Sequence, residues 1–460
     1  MRSHRVFIAA LTAMLVITGC SDRGGDGGDS EDVAKSTAAQ SATSSDFGDL
    51  SKVCQSGSPQ GSPTRGVTES EIRVGVMSDI GFTKVSEFVD AAEVFTSWCN
   101  DNGGINGRKL VATTRDTKLM EIRQRMIDAC REDFALVGGG AALDGLGVKE
   151  RLTCGLPSFP AQVSQSTSVG ADLEISADAS LTPGYDSYFG YRQWLMKDAY
   201  PGSASAIGLV NGDSPVTKSL GAQAVEAVEA AGGTFVYNDL YPAIGVTDWT
   251  PYAQSIKSNG VKGLIFLGLH PQLAKLESAL TSMDYKLDWI DTNNNAYGQQ
   301  FIDVAGTSAT YQNNYLDLGG NVPLDSDEPA MRQLNELWAQ YAPDAELSLP
   351  AIRAMSAWLL FARSAAQCGD DLTRTCLYEN AKANTAWTAG GLHTPRDLAE
   401  PTPPSPCFNV VKSTAEGWEA ADFNPDEGIY RCDVPAYKYT QDYGKPMTLA
   451  DVGKTMADVE

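Results

Sequence analysis

Residues 249–293 read WTPYAQSIKSNGVKGLIFLGLHPQLAKLESALTSMDYKLDWIDTN, and the hydrophobic pattern changes three times along this stretch. Residues 249–260 and 271–285 carry apolar side chains at helical spacing. Residues 261–269 and 287–293 are short, and they are rich in branched and aromatic apolar residues, which is typical of buried strands. A helix, a strand, a second helix and a second strand in this order predict parallel strands that are joined by helical crossovers.

The same alternation extends toward the N-terminus in two series. In the first series, strands are predicted at EIRVGVM (71–77), KLVATTRD (109–116), FALVGGG (134–140) and LPSFPA (156–161), with helical patterns between them. In the second series, an aromatic-rich helix is predicted at 185–200, and it is followed by a strand, a helix and a strand between residues 206 and 241. Two consecutive α/β units of similar layout predict mostly parallel sheets that helices cover on both faces.

Beyond residue 320 the pattern is mainly helical. The stretches EPAMRQLNELWAQYA (328–342) and LPAIRAMSAWLLFARSAAQC (349–368) predict helices. The Pro-rich stretch TPRDLAEPTPPSPC (394–407) predicts an extended connector. The tail from residue 407 to residue 432 predicts two strands around a turn.

The N-terminus has the proportions of a signal peptide. Arg2 and Arg5 precede 13 uncharged, mostly apolar residues from Val6 to Thr18, whereas a spanning helix needs about 20. The last two residues of this run and the two that follow, ITGC (17–20), resemble a bacterial lipobox, which implies cleavage before Cys20 and acylation of that residue. An ordinary secretory cleavage nearby, with Cys20 incidental, is the alternative. We therefore predict a lipoprotein signal peptide at 1–19 and a disordered tether at 20–65, a segment rich in Gly, Ser, Asp, Thr and Ala.

Chain length and net charge limit the architectures and partners that are expected. The folded part, from about residue 70 to residue 450, is long for one domain, so two lobes are expected. The formal net charge is -23, which argues against a nucleic-acid partner because phosphate binding needs a basic surface. It also argues against docking on anionic lipid by charge, so the acyl chains on Cys20 are the predicted membrane attachment.

The chain has nine cysteines, and eight remain once Cys20 carries lipid. An even number outside the cytoplasm predicts disulfides. There is no CxxC motif, and the mature chain has only His270 and His393, so no metal site is expected.

The cysteine positions suggest a pairing. Cys368 and Cys376 flank a short loop, whereas Cys407 and Cys432 flank the predicted hairpin, so each of these two pairs is expected to be bonded. The other four cysteines allow three connectivities. Two of them lie near the ends of predicted helices, and a third lies just before a strand. These positions favour the pairs Cys54–Cys99 and Cys130–Cys154.

No catalytic constellation is visible in the sequence. There is no GxSxG nucleophile elbow, and both His270 and His393 are expected to be loop histidines rather than general bases. The stretch GGGAALDG (138–145) does not match a dinucleotide or P-loop motif, because no lysine follows where a P-loop needs one. We expect a tight turn whose backbone N–H groups face a cleft. Neither an enzyme nor a cofactor is predicted.

Three stretches carry a family resemblance. GVTESEIRVGVMSDIG (66–81), NDNGGINGRKL (100–110) and VTDWTPYAQSIKSNGVKGLIFLG (246–268) are similar to the entry strand, the first helix exit and a second-lobe stretch of type I periplasmic binding proteins. The resemblance is to the branched-chain amino-acid-binding (leucine-binding) family of ABC transporters, and it covers roughly residues 66 to 360.

The resemblance implies a fold and a function. It implies two similar doubly wound lobes joined by a hinge, with crossovers near residues 180–186, 316–324 and 395–406. Lobe one would comprise 66–182 plus 322–396, and lobe two 183–321 plus 397–450. The lobes would close on a small polar metabolite, such as an amino acid, an amide or a small organic acid. The implied protein is a monomer on the outer face of the cell membrane, and it delivers its solute to an ABC permease.

Ligand-binding residues follow from the strand ends that the family uses. Phe82 and Tyr297 would form apolar walls, and Gln162, Ser214 and Asn295 would orient the solute by hydrogen bonds. The candidates in lobe one are Ile80, Gly81, Phe82, Ala141, Ala142, Ala161 and Gln162. The candidates in lobe two are Asp213, Ser214, Leu269, His270, Asn293, Asn295 and Tyr297.

The chain also departs from the family. Ala141 stands where amino-acid-binding members usually place a serine for the ligand carboxylate, and Asn293 to Asn295 stand where many place an acid for the ammonium group. Asp213 is a possible substitute for that acid. Because a buried charge needs a partner, an amide, an organic acid or another metabolite is as consistent with the sequence as an amino acid. Three alternatives remain: a sensor with the same clamp, a lipid-anchored hydrolase that uses His270, and a structural surface protein.

Overall fold

The computed structural model describes residues 45–61, 63–177, 182–399 and 404–460. The predicted signal peptide and Cys20 lie outside the described residues. The described strands, in chain order, are β1 (Glu71–Ser78), β2 (Lys109–Asp116), β3 (Ala135–Val137), β4 (Ser158–Phe159), β5 (Tyr185–Asp186), β6 (Ile207–Asp213), β7 (Phe235–Pro242), β8 (Gly263–Leu267), β9 (Trp289–Asp291), β10 (Asn314–Asp317), β11 (Val410–Ser413), β12 (Trp418–Ala420) and β13 (Tyr437–Lys438).

The strands form two main sheets. The first has the order β2-β1-β3-β4, and all its strands are parallel. The second has the order β12-β11-β10-β9-β8-β6-β7, in which β6 to β10 are parallel and β11 and β12 are antiparallel additions. Strands β5 and β13 form a separate two-stranded ribbon. We use lobe one for the body around the first sheet and lobe two for the body around the second.

Helices connect the strands and extend the chain after β10. They are α1 (Ile80–Thr83), α2 (Glu87–Asp101), α3 (Ile122–Glu132), α4 (Val148–Thr153), α5 (Phe189–Trp194), α6 (Pro215–Ala230), α7 (Thr250–Ser258), α8 (His270–Ser282), α9 (Gln299–Ala305), α10 (Thr307–Tyr311), α11 (Pro329–Tyr341), α12 (Leu349–Cys368) and α13 (Arg374–Lys382).

Side-chain alternation along the strands builds a core on both faces of each sheet. In β1, Val74 and Val76 pack in the core that α2 and α12 cover, whereas Met77 faces the opposite core with Met126 of α3. In β8, Phe266 and Ile265 likewise face opposite sides of the second sheet. Mostly parallel sheets with helices on both faces confirm the predicted α/β class.

Helix α12 is the central element of lobe one. Seventeen of its twenty residues are buried, and it lies against α2, β3 and β4. Trp358 stacks on Phe95 with a centroid separation of 5.4 Å and is fully buried. A helix that is apolar all round belongs in a core. Arg353 is the one buried arginine of this helix, and a buried charge needs a polar partner.

Four disulfides join the eight cysteines of the described residues. They pair Cys54 with Cys99, Cys130 with Cys154, Cys368 with Cys376, and Cys407 with Cys432. These are the pairs that the sequence favours, and they confirm the choice among the three connectivities of the first four cysteines.

The predicted tether is too long at its C-terminal end. Phe47, Leu50 and Val53 are buried in the core of lobe one, where Phe47 packs edge-on against Trp98. The amide of Asp49 donates to Gly390 O at 3.2 Å, and Cys54 is bonded to α2. A few apolar side chains and one disulfide are enough to order a segment whose composition predicts disorder.

The C-terminal segment differs from the prediction as well. Residues up to 450 were expected in lobe two, yet Leu449 is buried against Val148, Leu152 and Leu173 of lobe one. The Leu449 amide donates to Asp172 Oδ2 at 2.7 Å. The chain therefore passes from lobe two to lobe one once more after β13, and this passage is additional to the three predicted crossovers. We call residues 439–460 the C-terminal strap.

No helix among the described residues combines the length and the apolar character that a membrane crossing requires.

Candidate functional site

A cleft of about 810 Å³ lies between the two lobes. Its walls are the turns that follow β1, β3 and β4 on one side and β6, β8 and β9 on the other. These turns are at the carboxyl ends of parallel strands, which is where open α/β sheets bind ligands. The cleft is therefore the candidate binding site.

Eleven of the fourteen residues that the sequence proposes as ligand contacts line this cleft. They are Phe82, Ala141, Ala142, Gln162, Asp213, Ser214, Leu269, His270, Asn293, Asn295 and Tyr297. The other three do not line it. Ala161 is buried in the core of lobe one, and the Gly81 amide faces away toward Asp116 Oδ1 at 3.0 Å. Ile80, the remaining one, begins the short helix α1.

Asp79 organises the wall of lobe one. Its carboxylate accepts the amides of Ala142 at 2.7 Å and Leu119 at 3.0 Å, and it also accepts the hydroxyl of Thr117. The turns after β1, β2 and β3 are thus held together by one carboxylate. The sequence analysis overlooked this residue, although an aspartate directly after a predicted strand was a visible signal.

The glycine-rich turn after β3 has a packing role. A Cβ at Gly139 would lie 2.4 Å from the carbonyl oxygen of Met77, and Gly138 has a φ of 65°. The close approach leaves no room for a side chain at Gly139, and the positive φ favours glycine at Gly138. The amides of Gly138 and Gly140 donate to Phe159 O and Met77 O, so the turn expected to offer free N–H groups uses several of them internally.

The turn after β4 is fixed by the half-buried carboxylate of Asp144. Asp144 accepts the amides of Ser164 at 2.8 Å and Gln165 at 3.0 Å. Burial raises the pKa of Asp144 to about 6. The turn holds Gln162 at the cleft, where its side chain is exposed.

In lobe two, several predicted contacts are occupied by the protein itself. Ser214 accepts the Thr217 amide at 3.2 Å as the N-cap of α6, and Asp213 forms an ion pair with Lys218. Asn293 donates to Phe266 O at 2.9 Å and accepts the Asn295 amide at 2.9 Å. These side chains shape the wall because they hold the strand ends in place.

Two amide side chains on opposite walls remain available to a ligand. Gln162 of lobe one and Asn295 of lobe two are exposed, line the cleft, and form no side-chain hydrogen bond with the described residues. His270 lies beside Asn295, since its Nδ1 is 3.1 Å from Asn295 O. Burial lowers the pKa of His270, so its imidazole is neutral at neutral pH.

A buried polar network forms the floor of the cleft. Arg192 of α5 pairs with Asp291 at 3.1 Å and with Asp186 at 3.2 Å. The Asn294 amide oxygen faces the Tyr188 hydroxyl at 2.7 Å and Arg353 Nη2 at 2.8 Å, and its nitrogen donates to the carbonyl of Asp317 at 2.9 Å. The network thus connects α12 of lobe one with the strand ends of lobe two.

Among the charged side chains of the floor, Asp317 has a carboxyl group whose burial is only partly offset by hydrogen bonds. Its Oδ1 accepts the amides of Gly319 at 2.8 Å and Asn409 at 3.3 Å, whereas its Oδ2 accepts no hydrogen bond from any described residue. Burial raises the pKa of this carboxyl to about 7, against the opposing pull of Arg353. A carboxylate in this state favours a ligand group that donates a hydrogen bond.

The other histidine does not face the cleft. His393 Nε2 lies 2.9 Å from Ser356 Oγ, but Ser356 is fully buried and also accepts the indole N–H of Trp387 at 3.0 Å. The expected exposed loop histidine is therefore a core residue. Among the described residues the only clustered metal-ligand set is Cys407, Glu427 and Cys432, and its two cysteines are bonded to each other.

Comparison with known proteins agrees with this geometry. The sequence model of a family described as "Periplasmic binding protein" matches residues 71–417. The chain belongs to the periplasmic binding protein family. A comparison with curated protein sequences found no significant match.

Solved structures show the same type I periplasmic binding protein fold. One is a fatty acid ABC transporter substrate-binding protein from Thermomonospora curvata, with a TM-score of 0.65 and 17% identity over 84% of this chain and 97% of that chain. Another is a branched chain amino acid ABC transporter from Thermus thermophilus with bound valine, with a TM-score of 0.64 and 14% identity over 81% and 98%. At these identities the likeness establishes the fold of this periplasmic binding protein and leaves its ligand open.

Proposed function

We propose that this periplasmic binding protein is a lipid-anchored, extracytoplasmic receptor that closes on a small solute and delivers it to an ABC permease. The supporting observation is the cleft, whose two walls come from different lobes and each present an amide side chain, Gln162 and Asn295. A solute that touches both walls binds the closed arrangement better than the open one. It therefore shifts the population toward closure.

The cleft also suits a solute with an apolar part. Phe82, Leu269 and Ile244 line it while remaining 48%, 43% and 88% exposed. Covering large apolar side chains at a cleft rim stabilises the complex, because each Å² of apolar surface removed from water contributes about 25 cal/mol of free energy. The similar structures from T. curvata and T. thermophilus are a fatty acid transporter protein and a valine complex, so apolar bodies are the first solutes to test.

Thermal unfolding with a solute panel tests the proposal. The panel contains valine, isoleucine, medium-chain fatty acids, and amides and amines of similar size. A solute at 100-fold over its Kd stabilises the native protein by about 2.7 kcal/mol. The same solute should reduce the radius of gyration in small-angle X-ray scattering, because closure brings the lobes together.

Paired variants separate the cleft from the rest of the surface. Gln162→Ala with Asn295→Ala should raise the Kd of any solute that binds, because one hydrogen-bonding group is lost on each wall. Gln124→Ala, on α3 and outside the cleft, should leave the Kd unchanged. A solute that binds equally to both variants, or one that binds without a change in the radius of gyration, would contradict the clamp.

The anchor and the partner need separate experiments. Cys20→Ser should move the full-length protein from the membrane fraction to the soluble fraction, and it should remove labelling by radioactive palmitate. Crosslinking of the solute-loaded protein in membranes should capture an integral membrane permease. Capture of a sensor receptor instead would favour the sensor alternative.

A further inference from the structure

The side chains that line the cleft are strongly acidic. Eight carboxylate side chains line it, against three basic ones, Lys84, Arg192 and Arg353. The acids belong to both lobes, since Asp79 and Glu87 lie in lobe one and Asp213 and Asp317 lie in lobe two. A single-sign cleft attracts solutes of the opposite charge and repels those of the same charge.

The three basic side chains are already engaged. Lys84 Nζ donates to Gly81 O at 2.7 Å, and Arg192 pairs with two aspartates. Arg353 donates to Asn294 and is attracted by Asp317. A carboxylate ligand would have to compete with protein carboxylates for either arginine, whereas Lys84 uses one of its three N–H donors on Gly81 O.

Three backbone amides at the turn after β3, those of Gly138, Gly140 and Ala142, already have protein acceptors. Asp79 Oδ2 accepts the Ala142 amide at 2.7 Å, so a carboxylate of the protein already stands where this turn meets the cleft. Asp79 is 8% exposed, and bringing a second carboxylate to the same amide would place two negative charges in contact.

Two buried carboxylate oxygens in the cleft lining lack a donor. One is Glu87 Oε2, near the start of α2, and the other is Asp317 Oδ2, on the floor. Neither accepts a hydrogen bond from the described residues. They belong to different lobes, and the Asp317 side chain is almost fully buried.

We propose that the solute is an organic cation, a protonated amine on an apolar body, whose ammonium group donates to the Asp317 or the Glu87 carboxylate. The inference rests on the proposed function and assigns its substrate class. Aromatic side chains fit such a ligand, because Phe82 and Tyr439 line the same cleft and aromatic faces attract organic cations. The overall charge of -23 also draws cations to the protein.

Matched solutes test the assignment. Hexylamine, hexanamide and hexanoate have the same number of carbon atoms, as do benzylamine, benzamide and benzoate, and the members of each trio carry an ammonium, a neutral amide or a carboxylate head group. Binding to the full-length protein is measured by calorimetry at pH 7.5 and low salt. The amine of a trio should bind on the order of tenfold or more tightly than the carboxylate, and added salt should narrow this difference.

Two variants test which carboxylate produces the preference for amines. Asp317→Asn keeps the oxygen that the Gly319 and Asn409 amides need and removes the charge, so it should reduce amine affinity toward that of the neutral amide. Glu87→Gln tests the second carboxylate independently of the floor. Asp303→Asn, an exposed residue outside the cleft, changes the net charge equally and should leave the preference for amines unchanged.

Each outcome decides the question. Preferential binding of an amine that Asp317→Asn or Glu87→Gln weakens, and Asp303→Asn does not, supports the assignment. Preferential binding of a carboxylate or a neutral amide overturns the organic-cation class while leaving solute binding intact. Absence of binding by every member of both trios also overturns it, and the broader panel with scattering then decides separately whether the solute-binding function stands.

Discussion

Glu277 provides a quantitative test of how lobe two is built. This residue of α8 is fully buried, and its Oε2 accepts Asn314 Nδ2 at 3.2 Å. Its Oε1 accepts no hydrogen bond, and no described basic side chain pairs with it. Burial raises the pKa of Glu277 from 4.5 to about 8. The folded protein therefore holds this carboxyl in its protonated form at neutral pH.

The sign of the stability effect follows from this shift. Below pH 4.5 the group is protonated in both the folded and the unfolded chain, so its titration costs nothing. Between pH 4.5 and pH 8 the unfolded chain releases the proton and the folded chain keeps it, so stability falls as pH rises. One pKa unit corresponds to 1.36 kcal/mol, so the shift of about 3.5 units makes the loss above pH 8 about 5 kcal/mol.

Glu277→Gln removes the titration and retains the shape. The introduced amide can also donate to Asn314 Oδ1, which accepts no hydrogen bond from the described residues. We expect the variant to match the parent within about 1 kcal/mol at pH 5 and to exceed it by about 5 kcal/mol at pH 9. At pH 9 the Tm should rise by roughly 5 °C if the whole chain unfolds together, and by about twice that if lobe two unfolds alone.

The assay is calorimetric or urea unfolding of both proteins at pH 5 and pH 9. Glu229→Gln, an exposed residue of α6, is the control, and it should show no gain at pH 9 beyond a few tenths of a kcal/mol. A Glu277→Gln variant that is no more stable than its parent at pH 9 would mean that the Glu277 carboxylate is solvated or paired in the folded protein, and it would refute the reasoning.

Three further predictions concern the disulfides, a helix cap and the C-terminal strap. Replacing Cys54 and Cys99 by alanine should cost about 4 kcal/mol in urea unfolding, and replacing Cys368 and Cys376 roughly 2–3 kcal/mol, because the first bond closes 45 residues and the second 8. Ser214→Ala should lower stability by about 1 kcal/mol in the same assay, since α6 loses its N-cap. Leu449→Asp should release the strap from lobe one, which limited proteolysis with mass spectrometry would detect as faster cleavage after residue 440.

Most of the fold could be predicted because its elements are long or strongly patterned. Strands β6 and β8 and helix α12 each carry enough apolar residues for their period to be recognised. The ribbon of β5 and β13 was missed because two-residue strands have no period. Residues 185–186, predicted as the start of a helix, belong to β5.

The walls of the cleft were predictable, whereas its floor was not. The walls follow from one rule, since each wall residue comes directly after a strand. The floor combines Asp186, Arg192, Asp291, Asp317 and Arg353, which are far apart in the sequence and meet only through the tertiary fold. A single arginine in the apolar first half of α12 was the one signal that could have pointed to it.

The floor contacts bear on the closure that we propose for the cleft. Arg353 of lobe one reaches Asn294, and Arg192 ties the crossover residue Asp186 to the end of β9. Breaking a buried hydrogen bond of this kind costs about 1–3 kcal/mol, so we expect the lobes to keep their contact at the floor during the proposed closure. A motion that preserves this contact is a rotation about the floor, in which the outer rim moves most. We expect Phe82 and Ile244, which are exposed on the two walls, to cover the solute in such a rotation. Asn293 and Tyr297, whose side chains bond to Phe266 O and the Leu324 amide, should move least.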